Sequence, residues 1–276
     1  MKTFGPFEVH ERVGQGGMAE VFRATAFGAS DFQKTIALKL LREEYVGEPA
    51  WERMFAEEAR LQASLSHRCL VQAHDSGVFA GRPWVRLEWV DGRDASTLLP
   101  LPEALAYFVA SELCLALNAV HAAKDEQGRA LGLIHRDVSA ANVLISRAGE
   151  VKLGDFGIAK ATLLKDQTRG GVRKGSWAYM SPEQVSGRPL TAASDVFSLA
   201  TLTVELISGA RPFDGETALE TMDRIREVQL PQVPEVLRAC FAKDPAQRPT
   251  PLQLRQTLKP LAGDERELAE RVTSAA

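Results

Sequence analysis

A chain of 276 residues is long for one domain and short for two of ordinary size, so one large domain or two unequal ones is expected. Hydrophobic residues at 45% suffice for a sizeable core, and 33 basic against 36 acidic side chains leave no single-sign field to favour nucleic acid or an acidic membrane. Cys69, Cys114 and Cys240 are scattered, odd in number and without metal-ligand spacing, which points to buried reduced thiols in a cytoplasmic protein.

The opening MKTFGPFEVHERV has no apolar core of the secretory kind, so no signal peptide is expected. Strand-like runs follow at 7–13, 20–25, 35–40, 71–78 and 84–90, punctuated by Gly, Asp and Pro. Among them lies one helical pattern, 49–64, with Trp51, Phe55 and Leu61 near helical spacing. After Gly92 the texture changes. A long helix is expected over 102–122, then a polar loop KDEQGRALG, then short strands at 142–146 and 150–153. From Ser194 the pattern is helical, interrupted by Pro212, Pro231, Pro234 and Pro245. The apolar run 196–207 carries Ser198, Thr201, Thr203 and Glu205. It reads as a buried helix and not as a membrane span, and no membrane segment is expected. The organisation is a small β-rich part joined through 88–92 to a larger helical part.

Three motifs carry chemistry. In Gly14-Gln15-Gly16-Gly17-Met18-Ala19, glycines between two strands let backbone approach phosphate without Cβ clashes. The run after it looks like a strand, so the loop reads as a hairpin flap, against the plain alternative of a β-turn with no ligand. Lys39, in the apolar strand Ala37-Leu38-Lys39, needs a partner for its ammonium. Glu58 lies three residues from both Phe55 and Leu61, on the inward face of the 49–64 helix, with Glu57 as rival. In His135-Arg136-Asp137-Val138-Ser139-Ala140-Ala141-Asn142, Asp137 can take a proton from an attacking hydroxyl, and Asn142 offers a neutral oxygen to a hard cation. Thirteen residues further on, Asp155-Phe156-Gly157 adds a carboxylate suited to Mg²⁺.

With these residues in this order, the chain resembles a bacterial eukaryotic-like (Hanks-type) serine/threonine protein kinase from about residue 7 to 261. The match continues through Tyr179-Met180-Ser181-Pro182-Glu183, Asp195 in SDVFSLA and Arg248 in DPAQRPT. The resemblance implies an α+β, bilobal fold: a kinase domain over 1–263 (N-lobe 1–87, hinge 88–92, C-lobe 93–263) and a helix or tail at 264–276. That tail caps the large lobe, binds a partner or begins a longer protein. The implied reaction moves the γ-phosphoryl group of ATP, with Mg²⁺ or Mn²⁺, to Ser/Thr hydroxyls of protein substrates. Asp137 is then the base, Lys39 contacts the α/β-phosphates and pairs with Glu58, and Asn142 and Asp155 hold the metal. Val13, Gly14, Gln15, Gly16, Gly17, Val21, Ala37, Leu87, Glu88, Val90 and Leu144 line the nucleotide, with Leu87 as gatekeeper and Glu88 and Val90 bonding adenine. His135, Arg136, Phe156, Glu183, Asp195 and Arg248 are structural, Glu183 and Arg248 as an ion pair and Asp195 as anchor of the catalytic loop.

Departures from the family pattern matter. Ser139 stands where serine/threonine kinases usually have lysine, and Ala19 replaces the third glycine. These two positions support an alternative, a pseudokinase-type ATP-binding regulatory module; a small-molecule kinase sharing the fold is a further reading. Arg136 implies a phosphorylated activation segment. Thr168 and Thr162 are the candidates, modified by autophosphorylation with self-association of the chain as one route.

Overall fold

The computed structural model describes residues 2–28, 32–156, 176–230 and 232–275. These fall into two compact units, one drawn from residues up to 66 and 71–89, the other from 67–70, 90–156 and 176–275.

The first unit is a six-stranded antiparallel sheet with one main helix. In chain order its elements are β1 (Lys2–Phe4), β2 (Phe7–Gln15), β3 (Ala19–Phe27), β4 (Gln33–Leu41), α1 (Pro49–Ser64), β5 (Ala73–Phe79) and β6 (Arg82–Glu88). The sheet order is β1-β2-β3-β4-β6-β5. β1 was not expected from sequence. β5 starts two residues later than read there, and β6 starts and ends two residues earlier; Gln72 accepts from the Glu88 N–H and Trp89 meets Arg23 outside the ladder. Alternation along β4 divides the sheet into two faces. Ile36, Leu38 and Leu40 join Phe7, Ala24 and Ala26 in a buried cluster. The ring of Phe7 meets that of Trp84 edge-on at 5.0 Å, which curls β2 towards β6. The opposite face carries Ala37 and Lys39. In register with them stand Val21 on β3 and Val85 and Leu87 on β6.

The second unit is mostly helical. It contains β7 (Gly92–Asp94), α2 (Glu103–His121), β8 (Val143–Ser146), β9 (Val151–Leu153), α3 (Pro182–Val185), α4 (Ala192–Ser208), α5 (Ala218–Glu227), α6 (Glu235–Arg238), α7 (Pro251–Leu258) and α8 (Glu265–Ser274). Asn142 closes a single 3₁₀ turn, so β8 begins one residue later than its sequence suggests. β7 was also unforeseen. It packs so closely on β8 that a Cβ on Gly92 would stand 1.9 Å from the Ile145 carbonyl oxygen. α2 is long and apolar enough to cross a membrane by length and composition, and 67% of that window is buried. It packs on α4 and α7 as a core helix. In α4 the hydroxyls of Ser198, Thr201 and Thr203 donate to the carbonyls four residues back. That satisfies polar atoms which would otherwise be buried bare.

The residues after 263, whose role sequence left open, form α8 against the β8–β9 hairpin and α2. Leu268 and Val272 are buried, and the Glu265 carbonyl oxygen comes within 2.0 Å of where a Cβ on Gly149 would lie. Leu268→Ala is expected to lower unfolding stability by about 2–5 kcal/mol, the range for a truncated core leucine, read from the urea midpoint.

Candidate active site

In the first unit, Lys39 is 6% exposed on β4 and Glu58 is 4% exposed on α1. The Lys39 ammonium donates to Glu58 Oε1 at 2.7 Å. Glu57, the rival, points to solvent. Pairing answers the cost of burying an ammonium, and the amine is thereby held at a fixed point on the face it shares with Val21, Ala37, Val85 and Leu87. Leu87 is buried beside Ala37, and the Glu88 N–H is engaged by the Gln72 carbonyl.

The glycine-rich hairpin closes with Gly16 N–H donating to the Ala19 carbonyl at 2.7 Å. A Cβ on Gly14 would lie 3.7 Å from the nearest Val21 atom, and one on Gly16 3.5 Å from the Ala19 carbonyl oxygen. Both are ordinary contacts, so internal packing does not demand glycine at either place. Gln15 and Val13 are exposed.

In the second unit the HRD loop is built from backbone bonds. Asp195, 1% exposed in the first turn of α4, accepts from the His135 N–H through Oδ2 and from the Arg136 N–H through Oδ1, both at 2.8 Å. His121 adds a ring nitrogen 2.7 Å from Oδ2. Arg136 sits at φ +69°, a left-handed conformation held by that carboxylate on one side and by Gln184 donating to its carbonyl on the other. His135 is fully buried, its Nε2 3.2 Å from the Gly154 carbonyl and its ring 4.8 Å from that of Phe156. Burial holds its pKa below the ordinary histidine value. A neutral ring donating from Nε2 and accepting the Asp137 N–H at Nδ1 fits both contacts.

Asn142 ties the loop to the next motif. Its Nδ2 donates to the Asp137 carbonyl at 2.9 Å, and its own carbonyl accepts from the Gly154 N–H at 2.9 Å. Asp155, one residue on, adopts φ +48°. The β8–β9 hairpin therefore delivers Asn142 and Asp155 from its two ends, with Asp137 five residues before the first. With its NH₂ engaged, Asn142 has its amide oxygen left as an acceptor. Together with the Asp155 carboxylate this is an all-oxygen donor set, which suits Mg²⁺ or Mn²⁺, cations that take few protein ligands. Leu144 is half-buried on β8. Ser139 is 8% exposed, and its side chain makes no cap hydrogen bond. Gly157, Thr162 and Thr168 lie outside the described residues.

Glu183 and Arg248 meet in two parallel bonds of 2.7 and 2.9 Å, with Ser194 donating to the same carboxylate at 2.7 Å. Arg248 also lies over the Phe197 ring at 5.1 Å. Burial alone would raise the Glu183 pKa, but Arg248 and Ser194 draw it below its ordinary value of 4.5. Gln184, His121 and Ser194 had no signal in the sequence, because each acts through a contact set only by tertiary packing.

The protein kinase domain family matches residues 7–258. The tyrosine-protein kinase MasK of Myxococcus xanthus is 33% identical over 90% of this chain and 41% of its own length. The serine/threonine-protein kinase PknH of Mycobacterium bovis is 31% identical over 89% of this chain and 41% of its own. The serine/threonine-protein kinase PknA of Mycobacterium tuberculosis is 33% identical over 88% of this chain and 58% of its own. The fold and the matched residues place the chain in the protein kinase family, among the bacterial Hanks-type enzymes. Its α+β architecture, a β-rich unit with one main helix and a helical unit, is the one expected from sequence. The chain spans about two fifths of the length of MasK and PknH. Nothing in the comparisons supports the pseudokinase alternative.

Arg248→Ala is expected to cost about 3–5 kcal/mol, as removing one partner of a buried pair does. The pH sign follows from the lowered Glu183 pKa. The pair's contribution is full above the unfolded value and fades as pH falls below about 4.5 towards the folded value. The stability gap between wild type and Glu183→Gln, measured by urea unfolding, therefore narrows as the buffer is taken below that pH.

Proposed function

We propose that this chain transfers the γ-phosphoryl group of ATP to serine or threonine hydroxyls of protein substrates. The observation that carries the reading is the backbone linkage of Asp137, Asn142 and Asp155 on one loop and hairpin. The bonds of Asn142 to the Asp137 carbonyl and from the Gly154 N–H, beside Asp155, support reading Asp137 as proton acceptor and Asn142 and Asp155 as oxygen donors. Asp137 orients the attacking hydroxyl and takes its proton. Asn142 and Asp155 are the residues to hold Mg²⁺, which when bound supplies charge neutralisation at the phosphates. Lys39, fixed by Glu58, is placed to meet the α/β-phosphates. Amides of the 14–17 hairpin face the phosphates, and main-chain groups of Glu88 and Val90 bond adenine. Val13, Val21, Ala37, Leu87 and Leu144 supply apolar contact to the base.

The boundaries proposed for the domain are those of the sequence reading, 1–263 with its hinge at 88–92. α8 completes the larger part. Autophosphorylation at Thr168, with Thr162 as the second candidate and self-association as a route, belongs to the same proposal. The cytoplasm, where ATP is held, is the proposed compartment. A tyrosine acceptor is the second reading, favoured by the name of the Myxococcus relative and by the absence of the usual lysine at Ser139.

Labelled ATP, Mg²⁺ and a generic acceptor protein test the first reading. Wild type is expected to incorporate label as phosphoserine and phosphothreonine, and Asp137→Asn to lose at least about a hundredfold. Equal incorporation by both overturns it, and phosphotyrosine alone moves the assignment to the second reading. Ser139→Lys restores a positive charge near the transferred group. One such electrostatic contact is worth about 3 kcal/mol, so kcat is expected to rise by up to about a hundredfold. An unchanged kcat would show that another group already supplies that charge.

A further inference from the structure

Three successive carbonyls of the glycine-rich hairpin converge on one residue. The Arg42 backbone N–H donates to the Met18 carbonyl at 2.9 Å. Its guanidinium Nη1 reaches the Gly17 carbonyl at 3.2 Å and the Gly16 carbonyl at 3.4 Å. In a trans peptide the C=O of one residue and the N–H of the next point in opposite directions. Holding the carbonyls of Gly16 and Gly17 therefore turns the N–H groups of Gly17 and Met18 away from Arg42. Among the described residues, neither of those N–H groups donates to a backbone carbonyl outside the strands.

The guanidinium is itself held. Its Nη2 pairs with Glu44 at 2.7 Å, and its Cζ lies 5.7 Å from the Tyr45 ring. Tyr45 stacks on Trp51 of α1 at 4.2 Å and 20° between planes. α1 also carries Glu58, the partner of Lys39. A second set of charges steadies the hairpin base: Glu20 on β3 accepts from Arg12 on β2 and from Arg82 on β6. The base of the hairpin and its tip thus have separate anchors, and the tip depends on Arg42.

We infer that Arg42 is a positioning residue for nucleotide phosphate: by holding the carbonyls of Gly16 and Gly17 it presents the amides of Gly17 and Met18 to the anion. This rests on the reading of the chain as an ATP-dependent kinase. It assigns Arg42 no contact with the nucleotide.

Binding, which needs no turnover, is the test. Dissociation constants for ATP and for adenosine are measured by calorimetry on the whole chain, for wild type, Arg42→Gln and Arg42→Lys. Arg42→Gln is expected to weaken ATP by about tenfold, the scale of one charged hydrogen bond, while adenosine changes by less than about twofold. Arg42→Lys, which keeps charge and a donor, is expected to fall between. In turnover, KM for ATP rises in Arg42→Gln with kcat little changed. A purely structural role would weaken both ligands alike, and that result, or an unaltered ATP-to-adenosine ratio, overturns the assignment. If Arg42→Gln does not fold, the lysine variant decides: an intermediate ratio supports the inference and the wild-type ratio defeats it. Wild type that binds no ATP would bring down the kinase reading and this inference together. Wild type that binds and transfers, with variants like it, would bring down Arg42 alone.

Discussion

The buried carboxylate of Asp195 is the constraint from which the catalytic loop takes its shape. Burying a carboxylate costs several kcal/mol unless its oxygens are satisfied. Here both are, by two consecutive backbone N–H groups and a histidine ring. The charge also lies in the first turn of α4, where the helix dipole favours an anion. Consecutive N–H groups do not converge on one carboxylate in an extended strand, so the loop must turn at Arg136, whose φ of +69° records that turn. Asp137 follows directly, and its direction is inherited from that turn. The α4 N-terminus also holds Ser194, which donates to Glu183 in the Arg248 pair. One helix end thus fixes both the catalytic loop and the segment that closes the larger unit.

The first unit solves a different problem by the same means. Lys39 carries an ammonium, yet it sits 6% exposed in the middle of a sheet. Glu58 accepts from the ammonium at 2.7 Å and holds it in place. The register of β3, β4 and β6 then decides which apolar side chains share its face, because directly paired residues of an antiparallel sheet lie on the same side. Val21 and Leu87 are there by parity: a one-residue slip of β4 would send Lys39 into the cluster of Phe7 and Leu38. The curl that Phe7 and Trp84 impose is therefore tied to the position of the amine.

Much of this was legible in the sequence because the chemistry fell in short, ordered motifs. Glu58 could be proposed for Lys39 from helix spacing, with Glu57 left as rival until the structure showed Glu58 buried, and α1 ran over the residues its periodicity gave. The strands at β1 and β7 were not legible. Each has three residues, too few for alternation to register, and each exists because a longer neighbour offers a free edge. The 102–122 helix is legible in its periodicity; its length and apolarity would also suit a membrane span, and only the burial of 67% of that window marks it as a core helix. Gln184, His121 and Arg42 were silent for a common reason. Their partners are backbone atoms or groups 24 to 74 residues away, and no local pattern specifies such a contact.

Ser139 shows where motif reading and geometry part. As a motif it is a loss, a neutral residue where the family usually carries lysine. In the structure it opens the 3₁₀ turn that ends at Asn142, and its carbonyl accepts the Asn142 N–H at 3.0 Å. Its side chain is 8% exposed, in a loop whose neighbours Val138 and Ala140 are both buried at 1%. The turn is closed by backbone alone, with no side-chain cap bond from Ser139, whereas on the proposed reading the missing charge bears on the transferred phosphoryl group. Backbone and side chain at this position thus serve different ends. The turn that sets the metal-ligand candidate depends on the backbone and survives the substitution, so retention of Asn142 and Asp155 is compatible with loss of the lysine. On the proposed reading the electrostatic deficit falls on the phosphoryl-transfer step, not on the architecture that prepares it.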